Sequence, residues 1–165
     1  MSKKILLLCV TLSLLILQCY SPTNHEQKWL PIINEYVKYW NTGEFQNIKT
    51  ILHPDFELRM TPKYEVEKGI DLFIESITKS RTAYPDFHIE IKEIFFTEKE
   101  AAGTWEITAT NTGEGWHPPT GKSVKITGMS IFHFKDGKIK DEWIASNNGY
   151  WITQLGFKLK SPFEE

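Results

Sequence analysis

The sequence predicts an α+β domain, because apolar residues recur at helical spacing through the first half of the chain and at alternating spacing through the second. The change of period falls at Tyr84-Pro85-Asp86. A third observation, the Asp136-Gly137 pair between two alternating runs, marks a tight hairpin and makes the second half an antiparallel meander. Helices first and strands second imply a curved sheet with one face covered by helices, a cone with an interior. Periodicity leaves open whether that interior is a packed core or a ligand pocket.

The helical half divides into three. Trp29, Ile32, Ile33, Tyr36, Val37 and Trp40 share a face over residues 26–41, and Asn41-Thr42-Gly43 ends the run. Phe45, Ile48, Ile51 and Leu52 give a short second helix, stopped by His53-Pro54. Residues 55–60 alternate as a short strand, Thr61-Pro62-Lys63 makes a turn, and Ile70, Phe73, Ile74 and Ile77 carry a third helix over 66–82. Four long strands are predicted at 87–96, 101–110, 123–134 and 139–146. The loop over 112–122 contains Gly113, Gly115, Pro118, Pro119 and Gly121.

Residues 1–24 read as an export segment rather than as part of the fold. Lys3-Lys4 precede an apolar run from Ile5 to Leu17 that is too short to span a bilayer comfortably, and a polar Ser21-Pro22-Thr23-Asn24 stretch follows. Leu15-Ile16-Leu17-Gln18-Cys19 resembles a bacterial lipobox, with Ile16 and Gln18 departing from the commonest pattern. The resemblance implies lipidation at Cys19 and a domain over 25–165 held outside a membrane, facing the periplasm or the cell surface, by that lipid alone. Cleavage with release as a soluble secreted or periplasmic protein, and an uncleaved anchor, remain as alternatives. The two cysteines, Cys9 and Cys19, both fall in this segment, so the domain has no disulfide framework and no thiolate nucleophile. A formal net charge of -2 gives no basic face for nucleic acid. The five histidines lack the spacing of a metal site, and no phosphate-cradling glycine loop is present.

The blocks Tyr84-Pro85-Asp86-Phe87, Trp105 to Gly113, Pro119-Thr120-Gly121-Lys122, Gly128 to Phe134, Asp136-Gly137-Lys138-Ile139, Glu142-Trp143 and Gln154-Leu155-Gly156 form an ordered set. In that order and spacing they resemble the SnoaL-like polyketide cyclases, a branch of the nuclear-transport-factor-two-like superfamily. Weaker agreement at Trp40-Asn41-Thr42-Gly43 and His53-Pro54-Asp55-Phe56 extends the likeness over most of the domain. The resemblance implies a cone-shaped domain, often a homodimer, that closes a ring in a polyketide ester by an intramolecular aldol reaction without metal or cofactor. Such chemistry needs a general base near a carbon acid, a group that stabilises the enolate oxygen, and an apolar enclosure.

Alternation places the side chains for this test. Trp105, Ile107 and Asn111 fall on the inward face of the second long strand, Ser130 and Phe132 on that of the third, and Ile139, Trp143 and Asn147 on that of the fourth. Trp105, Ile107, Asn111, Ser130, Phe132, Trp143 and Asn147 are therefore the expected pocket lining, although the aromatic members also fit a simple core. Asn111 stands where the family commonly has His, and Ser130 and Asn147 stand where many relatives have Asp. An amide or hydroxyl exchanges no proton near neutral pH, so the acid/base role is lost or moved. Candidates for a moved base are Glu142, Asp141, His133, His53 and His88; strict alternation turns Glu142 and His133 outward, and His53 also fits a helix end. His117 lies in a loop that could cover a pocket mouth. These positions support either an enzyme or a binding protein for a small apolar molecule. The outer face of the third strand, Lys125, Thr127, Met129, Ile131 and His133, is mixed enough to suggest self-association.

Overall fold

The computed structural model describes residues 23–60, 66–158 and 160. Residues 1–22 of the expected export segment, Cys19 among them, and the turn expected at Thr61-Pro62-Lys63 lie outside them, whereas Thr23 and Asn24, expected to belong to that segment, start the first helix. Among the described residues no helix is long and apolar enough to cross a membrane.

Helix α1 (Asn24–Thr42) begins where the Thr23 side chain accepts a hydrogen bond from Glu26 N and ends at Gly43, whose φ of 71° closes the last turn in the left-handed conformation. Its buried face is Trp29, Ile33, Tyr36 and Tyr39. The short α2 (Ile48–Ile51) leads directly into strand β1 (Leu52–Met60), so His53-Pro54 belongs to the strand rather than to the helix end. His53 Nδ1 accepts from Asp55 N at 3.1 Å, a local structural role. Residues 66–68, expected to start the third helix, instead form strand β2 (Val66–Lys68), after which Gly69, at φ 95°, breaks the chain into α3 (Ile70–Ala83).

Strands β3 (His88–Phe96), β4 (Glu100–Thr110), β5 (Ser123–Lys135) and β6 (Lys138–Ser146) follow the predicted ranges to within a residue. One further helix, α4 (Asn148–Gln154), has no counterpart among the predicted elements. The six-stranded open sheet has the order β2-β1-β6-β5-β4-β3; the β1–β6 pair is parallel and the other pairs are antiparallel. Lys92 is an extra residue between the pairs Ile91↔Trp105 and Glu93↔Thr104, and Lys140 is an extra residue between Phe134↔Ile139 and His133↔Asp141. Each such bulge bends its strand and reverses the side-chain alternation beyond it.

One face of the sheet packs against α1, α2 and α3. Trp29 stacks on Phe134 at 3.9 Å, and Tyr36 stacks on Phe73 at 5.1 Å and meets Phe132 edge-on at 5.5 Å. A second cluster, with Tyr84, Phe87, Trp105, Ile107, Val124, Ile126 and Leu155, fills the other end of the same face. Helix α4 closes that end: Gln154 accepts from Lys125 N at 2.9 Å and donates to Lys125 O at 3.1 Å.

Candidate functional site

The Lys140 bulge decides which side chains of β6 enter the interior. Ile139 is buried before it; after it, Glu142 is buried at 4% exposure while Trp143 is 47% exposed. Strict alternation places Trp143 and Asn147 inward and Glu142 outward, and the extra residue reverses all three. Asn147 is exposed and caps α4, its side chain accepting from Tyr150 N at 3.0 Å.

Glu142 therefore lies between the sheet and α1, beside Tyr36, Phe132 and Ser130. The Tyr36 hydroxyl donates a short hydrogen bond to Glu142 Oε2. Burial pushes the Glu142 carboxyl up to about 7, against the opposing pull of the nearby Tyr36 and Ser130 hydroxyls. Burial, the Glu142 charge and the hydrogen bond to Glu142 together hold the Tyr36 phenol well above its ordinary value. Trp105 Nε1 donates to Ser130 Oγ at 2.9 Å. Gly128 makes room for that indole, since a Cβ there would stand 2.2 Å from Trp105 Cη2. A carboxyl that titrates near neutrality, enclosed by aromatic rings and flanked by two hydroxyls, can take or give a proton in an apolar setting.

The other expected site residues divide clearly. Trp105, Ile107, Ser130 and Phe132 are buried on the inward face, as alternation predicts. Asn111 is also fully buried, but its side chain is engaged: Oδ1 accepts from Thr120 N at 2.8 Å and Thr120 Oγ1 at 3.0 Å, and Nδ2 donates to Ala83 O at 3.2 Å. It ties the 112–122 loop to the end of α3. His133 pairs with Asp141 at 2.6 Å on the sheet's outer side, His88 is exposed, and His117 bonds Pro118 O and meets the Phe157 ring at 5.1 Å. Among the described residues no group of three or more His, Cys, Asp and Glu is placed to hold a metal ion.

Two surface hollows stand apart from this cluster. One, of about 550 Å³, is lined by Thr104, Thr127, Gly128, Met129, Ala145, Ser146 and Asn147. The other, of about 390 Å³, is lined by Pro54, Asp55, Glu57, Lys68 and Gly69. Burial pushes the Glu57 carboxyl up, but Lys68, Arg59 and Lys140 outweigh it and hold that group below its usual range.

The architecture and the enclosed acid define a small α+β domain of the cone type. The profile of the SnoaL-like polyketide cyclases matches residues 32–155, and the chain belongs to that family. A candidate SnoaL-like polyketide cyclase from Jannaschia sp. CCS1 superposes with a TM-score of 0.73 at 12% identity, over 84% of this chain and 99% of that one. TsrD from Streptomyces laurentii gives 0.71 at 18% identity, over 82% and 98%. AclR, a candidate hydroxylase from Streptomyces galilaeus, gives 0.69 at 23% identity, over 85% and 87%. At these identities the likeness speaks for the fold alone. A comparison with curated proteins returned no match.

Proposed function

We propose that this is an exported protein, lipid-anchored through Cys19, that takes a small, largely apolar carbonyl compound into its interior and uses Glu142 for cofactor-independent cyclase or aldol-type chemistry. The observation that carries the reading is Glu142 itself, buried beside Tyr36 and Ser130 with its carboxyl raised to about 7. Ser130 stands where many relatives have Asp, and Glu142 projects from the neighbouring strand into the same interior, so the acid/base group has moved rather than vanished. A carboxyl half-ionised near neutral pH serves as a base toward a carbon acid and returns the proton later in the cycle. Entry of a ligand requires the rings of Tyr36, Phe56, Phe73 and Phe132 to part, since Phe56, Phe73 and Phe132 pack around Tyr36, whose hydroxyl meets the carboxyl. The export segment supports a site of action outside the cytoplasm, on either membrane.

The test is exchange of α-protons into deuterium oxide for an apolar ketone or ester, followed by NMR with the wild type and Glu142→Gln. Exchange by the wild type that Glu142→Gln abolishes supports the reading. Exchange that persists at the same rate in the variant refutes the role of Glu142.

A second reading, a non-catalytic ligand-binding or self-associating lipoprotein, has its own observation. Phe95, Ala102, Ile131 and Trp143 lie in register across four adjacent strands on the outer face, and Phe95, Ile131 and Trp143 are exposed with Met129 beside them. An apolar stripe of this kind suits a homodimer. Sedimentation that finds only monomer over a wide concentration range would end this reading.

A further inference from the structure

The interior around Glu142 is closed. Neither surface hollow is lined by Glu142, Tyr36 or the rings beside them, so a molecule reaches the carboxyl only when a covering element moves. Two helices cover it, and they are fastened differently. Along α1, Thr23 caps the start, Trp29 Nε1 donates to Glu98 O at 3.1 Å, and Asn41 exchanges two hydrogen bonds with the Ile89 backbone, at 2.9 and 2.7 Å. α3 is clamped at its far end, where Arg81 donates to Trp40 O and Phe87 O at 3.1 Å and to Pro85 O at 3.2 Å. Its start has no side-chain cap: Gly69 turns into it at φ 95°, and Ser76 Oγ donates to Glu67 Oε2 at 2.7 Å on the short edge strand β2. Phe73, in that first turn, roofs Tyr36 at 5.1 Å and Phe56 at 5.2 Å.

The group beneath this roof carries a charge that the closed interior is poorly built to hold. Tyr36 of α1 is the titratable side chain that meets Glu142; β1 presents Phe56 and Leu58, β5 presents Ser130 and Phe132, and α3 presents Phe73. Glu57 and Arg59 of β1 pair with each other on the outer side of the sheet, as do His133 of β5 and Asp141 of β6. Glu35 and Lys38 of α1 pair at 3.4 Å, and Asp71, Glu75 and Lys79 of α3 are exposed. Among the described residues no lysine or arginine is buried to act as counter-charge. A carboxylate enclosed by rings without a cation is costly until water reaches it.

We propose that the first two turns of α3 are a lid over Glu142, kept down while the acid is neutral and released when it ionises, and that the apolar ligand enters beneath them. This describes the regulation of the site and rests on the reading that the interior receives a ligand. Release is a local unwinding from Gly69 toward the Arg81 clamp, which lifts Phe73 from Tyr36 and admits water to the carboxylate while α1 and the sheet stay in place. The sign follows from linkage. Opening restores the carboxyl to an ordinary 4.5, whereas the closed state keeps its proton up to about 7, so raising the pH favours the open lid. Opening becomes about 70-fold more frequent at pH 8 than at pH 5.

Hydrogen exchange of the purified protein, read by mass spectrometry and corrected for the intrinsic pH dependence of amide exchange, tests the lid. In the wild type the amides of Ile74 to Ile77 should exchange well before those of β5, and their protection should fall about 70-fold from pH 5 to pH 8. Glu142→Gln should abolish that fall. Ser76→Ala, which cuts the tie to β2, should lower α3 protection by a similar factor at both pH values and leave the pH dependence intact. Tyr36→Phe removes a donor to the carboxylate and should move the fall to higher pH, which keeps the test decisive if Glu142→Gln does not fold. Wild-type protection that is equal at pH 5 and pH 8, a fall that persists in Glu142→Gln, or α3 amides that exchange only together with β5 overturns the lid. Loss of α-proton exchange in Glu142→Gln with α3 unmoved by pH rejects the lid and keeps the proton-transfer reading. A pH-driven opening in a protein that exchanges no α-protons supports the lid and rejects the catalytic reading.

Discussion

Replacing Glu142 with Gln should make the protein's stability far less dependent on pH between about 4.5 and 8. The carboxyl is buried and rises from an ordinary 4.5 to about 7. Below 4.5 it is protonated in both the folded and the unfolded chain and contributes no pH dependence. Between 4.5 and 7 the unfolded chain releases this proton and the folded chain keeps it, so the stability the group contributes at low pH is lost as pH rises and levels off above the folded value. The difference corresponds to about 3 kcal/mol, or roughly 10 °C in Tm for a domain of this size. Tyr36, the titratable group facing Glu142, is held well above the ordinary phenol value and stays neutral throughout.

The glutamine side chain of this variant would keep a carbonyl for the Tyr36 hydroxyl but bring an amide N–H that needs an acceptor, a constant cost of about 1–3 kcal/mol at every pH. The diagnostic quantity is therefore the change in the variant-minus-wild-type difference between pH 5 and pH 8, measured by urea unfolding. The variant should gain about 3 kcal/mol relative to wild type across that range. Parallel stability profiles for the two proteins would refute the buried, neutral-pH carboxyl.

Three further expectations rest on single contacts. Asn147→Ala removes the cap of α4 and should cost about 1 kcal/mol by chemical denaturation, whereas Asn147→Asp, which still accepts from Tyr150 N, should be near neutral. Gly113→Ala places a Cβ 1.8 Å from Thr82 O, backbone that cannot swing aside, and should lower stability by about 3 kcal/mol in the same assay. Ile131→Lys puts a charge in the middle of the outer apolar stripe and should shift sedimentation toward monomer without lowering Tm; an unchanged sedimentation profile would remove that stripe from any interface.

Much of the fold is legible in the sequence because its long strands follow a clean period of two and its hairpin carries Asp136-Gly137. β4 and β5, whose partners run without interruption from Glu100↔His133 to Thr110↔Ser123, show the predicted inward sets of Trp105, Ile107 and Asn111 and of Ser130 and Phe132. β6 defeats simple alternation because one inserted residue, Lys140, inverts every side chain after it. A signal is there: Ile139 and Ile144 cannot share a face under strict alternation, yet both are apolar in a strand with one polar side. Placing the break between them turns Glu142 inward and Trp143 outward. β2 is hidden because Val66-Glu67-Lys68 fits a helical start as well as a strand, and only the Gly69 backbone separates it from α3. α4 is hidden by its brevity, since Asn147 reads equally as a loop residue and as a helix cap.

Asn111 shows the limit of transferring a family position. Its inward placement agrees with alternation, but its hydrogen bonds to Thr120 and Ala83 commit it to holding a loop, a role that sequence spacing does not distinguish from catalysis.

The central claim is that the interior around Glu142 receives a small apolar molecule. Native mass spectrometry of the domain purified from its own host tests it most directly. The account predicts a folded protein carrying a discrete added mass of small-molecule size, which Glu142→Gln retains because the apolar enclosure survives the change. A folded wild-type domain that carries no added mass, alone or after incubation with apolar ketones and esters, would contradict the account.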